Sequence, residues 1–345
     1  MKNQAPRDSL RDWLCDSGPP GLIWPRSDLN EMKVIPLGTS ELSSSRLAYG
    51  CWRIAGTWDP SEVSANSRAD GRKAVLTAFD AGYTLFDHAD IYCHGEAEKI
   101  FGQVLKEVPE MRRAVLITSK CGIRRAGDPK PDSPYRYDFS ADHIVRACEQ
   151  SLHRLGVESI DLYQLHRPDY LMDAEEVAGA FSQLQQAGKV REFGVSNFRP
   201  SQVAALQKAC PMRLAVHQVE ISLANLHCFE DGTLDQCQAE KLTPMAWSPL
   251  AAGQLGEGAK RLLPSQQGYR PQAVTELLDA IAQARETSRA VVALAWLLKH
   301  PARIVPIVGS TNPEKIRQAA RAADLELSRD EWYRLFRAAR GEPLP

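Results

Sequence analysis

The chain has 345 residues, of which 43% are hydrophobic and 25% charged, as is typical of a soluble globular protein with a large core. Its 42 basic residues nearly balance its 43 acidic residues, so the net charge of −1 offers no basic excess for nucleic acid. The longest apolar run in a helical context, Val291 to Leu298, is far too short for a membrane span, and no signal peptide is recognisable, so we predict a cytoplasmic protein.

The 8 cysteines are scattered along the chain without a CxxC pair. A chain of this length can bury a core without disulfide bonds, so the thiols are expected to be reduced. The same scatter disfavours a structural zinc site, and His88 and His94 lack a third ligand at useful spacing. No metal is predicted.

Residues 1–31 differ from the rest of the chain. The stretch 16–21 (DSGPPG) is a cluster of helix and strand breakers, and no hydrophobic periodicity precedes it. We predict a disordered N-terminal extension over 1–31 and one folded domain over 32–345. An alternative is that translation starts at Met32.

Short apolar runs of strand length recur through the remaining sequence. They cover 47–51, 83–87, 114–119, 160–165, 191–195, 214–219, 243–247 and 304–308. The segments between them have helical spacing and helix-start signals. Starts are predicted at Ser140, at Asp173, at Thr287 or Ser288, and at Asn312, where a proline and an acid follow.

Strands that alternate with helices indicate parallel pairing, because each return to a parallel strand needs a crossover. An open dinucleotide-binding sheet would carry a GxGxxG turn after its first strand, and the sequence has none. We therefore predict an α/β fold, a single-domain (β/α)8 TIM barrel with extra helices and a C-terminal tail from Ala338.

Polar residues follow the later runs, where the carboxyl ends of barrel strands meet and catalysis takes place. In chain order these residues are Asp87 and Tyr92, Ser119 and Lys120, His166, Ser196 and Asn197, Gln218 and Glu220, Trp247 and Ser248, and Gly309 and Ser310. A single polar strand end is weak evidence, but together they predict one polar rim.

The residue types at this rim are those needed for acid catalysis by a tyrosine hydroxyl. A free tyrosine has a pKa of about 10, and a neighbouring ammonium is expected to lower that pKa. Tyr92, Lys120 and Asp87 supply a phenol, an ammonium and a carboxylate to hold it, and His166 could bind a carbonyl oxygen. Hydride would come from a cofactor, since no side chain donates one. The same trio could instead be a structural ion-pair network.

The motifs resemble those of the aldo-keto reductases. Asp87-His88-Ala89-Asp90-Ile91-Tyr92 is similar to their DxAxxY motif. Later motifs follow in the family's order, at 119–120 (SK), 165–168 (LHRP) and 194–198 (GVSNF). The resemblance spans about 35 to 335, and segments such as PMAWSPLAAG look closest to the bacterial YdhF-like oxidoreductases.

The resemblance implies a nicotinamide cofactor and a role for each matching residue. Tyr92 would be the general acid, Lys120 and Asp87 its tuning pair, and His166 the residue that orients the carbonyl. The implied cofactor-binding residues are Gly50, Cys51 and Trp52 beside the nicotinamide and substrate, Ser196, Asn197 and Gln218 on the carboxamide, Trp247 stacked on the ring, and Ser248 and Leu250 on the pyrophosphate.

A phosphate site is predicted at Gly309, Ser310 and the helix that starts near Asn312, because helix N-termini offer free N–H groups. Gly309 stands where many members of the family carry lysine, and Lys315 where many carry arginine. Lys315 could still pair with a 2′-phosphate, though without arginine's bidentate geometry. NADPH is therefore predicted, with NADH as the alternative.

Substrate identity depends on loops, which the resemblance does not define. Candidate loops are 52–68, 121–139, 222–233 and the C-terminal tail, and the stretch 250–271 could fold over the cofactor. Aromatic residues in two of them suggest a fairly apolar pocket for aldehydes or ketones, although they could equally pack the loops. These are Trp52, Trp58, Tyr135 and Tyr137. A monomer is the default expectation.

Two alternatives to a reductase remain open. Lys120 at a strand end could form a Schiff base, as in aldolases, but this leaves Tyr92, Asn197 and Gln218 without a shared purpose. The barrel could also bind dinucleotide as a redox sensor or regulatory subunit with little turnover.

Overall fold

The computed structural model describes residues 32–256 and 271–344. The predicted extension and the question of the start site, at residues 1–31, lie outside the described residues, as does most of the predicted cofactor-covering loop. The strands are β1 (Val34–Pro36), β2 (Ser43–Ser45), β3 (Ala48–Gly50), β4 (Leu85–Asp87), β5 (Leu116–Cys121), β6 (Ile123–Arg124), β7 (Arg136–Tyr137), β8 (Ile160–Leu165), β9 (Val190–Ser196), β10 (Leu214–Glu220), β11 (Thr243–Trp247) and β12 (Val305–Val308).

Parallel strands close into a barrel in the order β3-β4-β5-β8-β9-β10-β11-β12, with β12 paired to β3. Each of the predicted apolar runs overlaps one barrel strand, so the predicted (β/α)8 barrel is confirmed. Strands such as β8, IDLYQL, are buried along their whole length because barrel strands pack side chains on both faces.

The helices are α1 (Ala65–Asp80), α2 (Glu96–Glu107), α3 (Pro109–Ala114), α4 (Ala141–Leu155), α5 (Ala174–Gln186), α6 (Pro200–Ala209), α7 (Thr233–Glu240), α8 (Pro271–Ala284), α9 (Arg289–Leu298), α10 (Pro313–Ala320) and α11 (Arg329–Arg340). The side chains of Asp173, Ser288 and Asn312 cap α5, α9 and α10 as predicted. Ser140 precedes α4 without capping it, because its hydroxyl donates to Asp138. The predicted tail from Ala338 begins inside α11.

The β1–β2 hairpin closes the amino end of the barrel. Leu37 and Leu42, in the turn between the two strands, pack with inward apolar side chains such as Leu162 and Met245. The Gly38 N–H donates to the Thr243 hydroxyl at the start of β11, 2.8 Å away. Apolar side chains therefore fill this end of the barrel, and the polar groups gather at the opposite, carboxyl end.

The strand register brings the predicted rim residues to one level. Gly50 on β3 pairs with Asp87 on β4, and Ser196 on β9 pairs with Gln218 on β10. Among the described residues, no helix is both long enough and apolar enough to cross a bilayer.

Candidate active site

Lys120 is a buried ammonium at the centre of the rim, with 0% of its surface exposed. Its Nζ lies 2.8 Å from Asp87 Oδ2, 2.6 Å from the His88 carbonyl oxygen and 3.3 Å from the Tyr92 hydroxyl oxygen. An ammonium has three protons and no acceptor, so these contacts account for all of its hydrogen-bonding capacity. The structure thus brings Asp87, Tyr92 and Lys120 together.

The hydrogen bond from Lys120 orients the Tyr92 hydroxyl. Because Nζ can only donate, the Tyr92 oxygen accepts this bond and its own O–H proton points elsewhere. The ring of His166 packs edge-on to the Tyr92 ring, with centroids 6.0 Å apart. The free phenolic proton therefore lies on a side chain that adjoins a second hydrogen-bonding residue.

The pKa values at this centre follow from burial and charge together. Burial raises the pKa of Tyr92, and the opposing effect of Lys120 does not outweigh it. The predicted effect of Lys120 is present, since its charge and its hydrogen bond both work to lower the Tyr92 pKa, but burial raises that pKa more because the phenolate would have to be formed away from water. Burial works to lower the pKa of Lys120, but Asp87 and Tyr92 together raise it. Tyr92 is protonated and Lys120 charged at neutral pH.

His166 is a neutral imidazole. Burial lowers its pKa well below the ordinary histidine range, and the charge of Lys120 lowers it further. Its buried Nδ1 has no hydrogen-bond partner within 32–256 and 271–344. A proton on Nδ1 would be buried without an acceptor, so the tautomer protonated on Nε2 is favoured.

Gln218 reaches across the barrel mouth to Asp87. Its Nε2 donates to Asp87 Oδ1 over 2.8 Å, and both residues are 3% exposed. β10 and β4 lie on opposite sides of the barrel, so this bond spans its mouth. Asp87 is therefore held by two donors, Lys120 on one oxygen and Gln218 on the other. The resemblance in sequence assigned Gln218 to the nicotinamide carboxamide and did not predict its bond to Asp87.

Asn197 is largely engaged by the protein itself. It adopts a left-handed backbone conformation at φ +62°. Its Nδ2 donates to the His166 carbonyl oxygen at 3.1 Å and to Ser196 Oγ at 2.7 Å, and its Oδ1 accepts from Trp247 Nε1 at 2.9 Å. The guanidinium of Arg167 lies 5.5 Å from the centroid of the Trp247 ring. Asn197 thus holds the half-buried Trp247 indole in place at the rim.

The predicted phosphate turn follows β12 and abuts the end of β3. A Cβ atom added at Gly309 would lie 2.7 Å from Trp52 Nε1, so the Trp52 indole occupies the space that a side chain would need. Gly50 is similarly close, since a Cβ there would lie 2.9 Å from Ile307 Cγ2. Gly50, Trp52 and Gly309 therefore form one close-packed corner.

Free N–H groups are predicted at the start of α10, but two of them are already hydrogen-bonded within the protein. Asn312 Oδ1 accepts from the N–H groups of Glu314 and Lys315 at 2.9 and 3.2 Å, because an N-cap asparagine satisfies these donors itself. Ser310 Oγ accepts from the Asn312 N–H at 3.2 Å, which leaves its own O–H to donate. Lys315 lies exposed on the first turn of α10.

The remaining predicted residues line the same rim. Cys51 is fully buried next to Gly50, while Ser248, at φ +51°, and Leu250 are half-buried just beyond β11.

The aromatic residues of the candidate substrate loops pack in pairs. Trp58 is 51% exposed and packs edge-on to Tyr92, with centroids 6.2 Å apart. The Trp52 ring centroid lies 5.7 Å from that of Trp58, so Trp58 lies between Trp52 and Tyr92 in this series of ring contacts. Tyr135 and Tyr137 pack on each other at 5.9 Å in the second candidate loop.

Sequence reasoning missed the polar residues directly behind the site. Glu98 on α2 is fully buried and contacts Ser119 and Arg154. Its sequence signal is a carboxyl in the first turn of α2, three residues before Phe101, and such a carboxyl is equally typical of an exposed acid at a helix N-terminus. The burial of Glu98 follows only from the packing of α2 on α4.

The family model described as "Aldo/keto reductase family" matches residues 46–339. The chain belongs to the aldo/keto reductase family. The match covers nearly all of the described barrel, and the resemblance seen in the motifs is confirmed. As an aldo/keto reductase the protein is a nicotinamide-dependent oxidoreductase that acts on carbonyl groups.

Curated and solved relatives agree with this assignment. The aldo/keto reductase is 42% identical over 315 residues to a 6-dehydroglucose reductase of Novosphingobium aromaticivorans, covering 90% of this chain and 96% of that protein. It is 40% identical over 301 residues to oxidoreductase YdhF of Escherichia coli, covering 87% and 95%. The crystal structure of a thermostable aldo-keto reductase in complex with epalrestat superposes with a TM-score of 0.75 at 25% identity, covering 89% of this chain and 100% of that one.

Proposed function

We propose that this aldo/keto reductase is an NADPH-dependent reductase of aldehydes or ketones in which Tyr92 is the proton donor. The observation that carries the proposal is the direction of the Lys120–Tyr92 hydrogen bond. Lys120 donates to the phenolic oxygen at 3.3 Å, so the phenolic proton is available to a carbonyl oxygen. When bound, the cofactor would supply the hydride that the carbonyl carbon receives.

The neighbouring groups prepare Tyr92 for this step. Lys120 stabilises the phenolate that remains once the proton has left, and Asp87 keeps the buried ammonium charged. His166, neutral and protonated on Nε2, donates a second hydrogen bond to the carbonyl oxygen and so fixes its position. A raised Tyr92 pKa keeps the donor protonated across the neutral pH range.

The rim offers the groups that a nicotinamide needs. An amide ligand would meet Gln218 Oε1 and the Ser196 hydroxyl, and the half-buried Trp247 indole provides a flat aromatic surface. We propose that Asn197 acts mainly by holding Ser196 and Trp247, since its amide is already engaged by both. Gly50, Cys51 and Trp52 would border the ring on the opposite side of the barrel mouth.

The remainder of the dinucleotide is proposed to run from Ser248 and Leu250 to the turn at Gly309 and Ser310. A cavity of about 700 Å³ is lined in part by Gly256, Ser288 and Gln318. Gln318 lies on α10 one helical turn after Lys315, so the same face of the helix leads into the cavity. We propose that the adenosine half of NADPH lies here, with Lys315 at the 2′-phosphate.

Restoring the lysine that many relatives carry at position 309 is expected to weaken NADPH binding. The Trp52 indole fills that space, so Gly309→Lys must displace Trp52 before the new ammonium can reach a phosphate. Fluorescence titration should give a higher Kd for NADPH in Gly309→Lys than in the wild type. The double variant Gly309→Lys/Trp52→Ala removes the obstacle and should bind NADPH at least as tightly as Trp52→Ala alone, the reference that allows for the loss of the Trp52 indole beside the nicotinamide. Tighter binding by the single variant would contradict this arrangement.

A Schiff-base lyase is disfavoured by the environment of Lys120. Amine nucleophiles must be unprotonated and reachable, whereas Lys120 is 0% exposed, has a raised pKa and directs all its N–H groups at protein acceptors. A sensor with little turnover would keep the same geometry, so kinetics must separate it from a reductase.

The test of the proposed function is NADPH consumption, followed at 340 nm, with a panel of aldehydes and ketones. Because a 42% identical relative is named a 6-dehydroglucose reductase, the panel should include 6-dehydroglucose and other sugar aldehydes. Turnover with at least one carbonyl, together with a higher kcat/KM for NADPH than for NADH, is the expected result. Tight NADPH binding without turnover across the panel would favour the sensor.

A further inference from the structure

The turn that carries Tyr92 is held in an unfavourable backbone conformation. Cys93, His94 and Gly95 follow one another in the left-handed region, at φ values of +46°, +55° and +87°. This region is disfavoured for residues with a Cβ atom, and such residues persist there only where surrounding contacts hold them. Contacts that hold this turn therefore also hold the Tyr92 hydroxyl.

Arg154 of α4 covers this turn from behind. A Cβ atom at Gly95 would lie only 2.5 Å from Arg154 Cδ and 2.6 Å from its Nε, so the guanidinium stem packs directly on the Gly95 backbone. Arg154 Nε donates to Glu98 Oε2 over 2.6 Å. The side chain of Glu98 is 0% exposed and that of Arg154 only 16%, so the pair is screened from water.

Glu98 connects the same turn to the strand of Lys120. Its second oxygen, Oε1, accepts from the Ser119 hydroxyl at 2.6 Å, and Ser119 immediately precedes Lys120 on β5. α2 starts at Glu96, directly after the left-handed turn. A continuous path of contacts thus runs from Gly95 through Arg154 and Glu98 to the residue next to Lys120.

We propose that Arg154, Glu98 and Ser119 are positioning residues that hold the turn of Tyr92 against the end of β5. None of the three is among the hydrogen-bond partners of Lys120 Nζ, so they act through the residues that they hold. Their effect is to maintain the 3.3 Å contact between the Lys120 ammonium and the Tyr92 oxygen, on which proton donation depends. This inference rests on the proposed role of Tyr92 as proton donor.

Arg154→Met tests the inference, since it keeps much of the stem but removes the charge. Small misplacements of reacting groups are costly, so kcat is expected to fall by about 10- to 100-fold. KM for the carbonyl and Kd for NADPH should stay within about 3-fold of the wild type, because the described contacts of Arg154 are with Gly95, Glu98 and Ser151, behind the rim.

A matched control is available at the opposite end of the barrel. Arg112 lies 3.4 Å from Asp161, whose side chain is only 2% exposed and is also paired with Arg191 at 2.8 Å, so Arg112→Met removes one of the two cations on a buried carboxylate. Its melting temperature should fall while kcat is retained. A lower melting temperature in both proteins, with kcat unchanged in both, would overturn the inference and leave the Glu98–Arg154 pair a purely structural one.

Hydrogen exchange separates this inference from the proposed function. Amides 92–95 should exchange faster in Arg154→Met than in the wild type or Arg112→Met, whether or not the protein turns over a carbonyl. If the wild type reduces nothing, the proposed function fails, and unchanged exchange of these amides would then overturn the positioning role as well. If Arg154→Met does not fold, Ser119→Ala can be used instead, because it removes only the hydrogen bond from Ser119 to Glu98. Its kcat is expected to fall as well, but by less than that of Arg154→Met.

Discussion

Replacing Tyr92 by phenylalanine is expected to reduce kcat for carbonyl reduction on the order of 10²–10⁴-fold, with NADPH binding retained. The substitution removes the one proton that Lys120 leaves free and keeps the ring that packs against His166 and Trp58. Steady-state kinetics with the best carbonyl of the panel, beside fluorescence titration of NADPH, measures both quantities.

Tyr163→Phe is the matched control for the loss of a phenolic oxygen. Tyr163 is fully buried on β8, and its hydroxyl neighbours the Cys121 thiol rather than the rim. Its kcat should remain close to that of the wild type. Comparable activity of Tyr92→Phe and wild type would show that another group, such as His166, donates the proton.

Lys120→Met is expected to lower both activity and stability. Activity falls, on the order of 10²-fold or more, because the phenolate left by proton donation loses its neighbouring positive charge. Stability falls because Asp87 keeps only its bond to Gln218, and breaking a buried pair from one side costs about 3–5 kcal/mol of unfolding free energy. Thermal or urea unfolding and steady-state kinetics measure the two effects.

The double variant Lys120→Met/Asp87→Asn separates the two effects of Lys120. Removing both charges leaves no uncompensated buried carboxylate, so most of the lost stability should return. Activity should not return, because the ammonium beside Tyr92 is still missing. A double variant that regained activity together with stability would show that Lys120 acts only by keeping the site folded.

The barrel itself was predictable from the sequence because its signals are local. Apolar runs mark the strands, and side chains such as Asp173 and Asn312 cap the helix that directly follows them. Parallel pairing then places all strand ends at one rim, which brings Asp87 and Lys120 together without further information. The family motifs suggested the proposed roles of these residues but not the contacts between them.

The contacts that complete the site join distant parts of the chain, and local sequence does not encode them. The bond from Gln218 to Asp87 links residues 131 positions apart, and the Glu98–Arg154 pair depends on how α2 packs against α4. The net shift of the Tyr92 pKa also depends on tertiary structure. Burial, which the sequence does not show, raises this pKa by more than the charge of Lys120 lowers it. The sequence thus determined the strands, the caps and the order of rim residues, whereas burial and long-range packing decided which of their atoms meet.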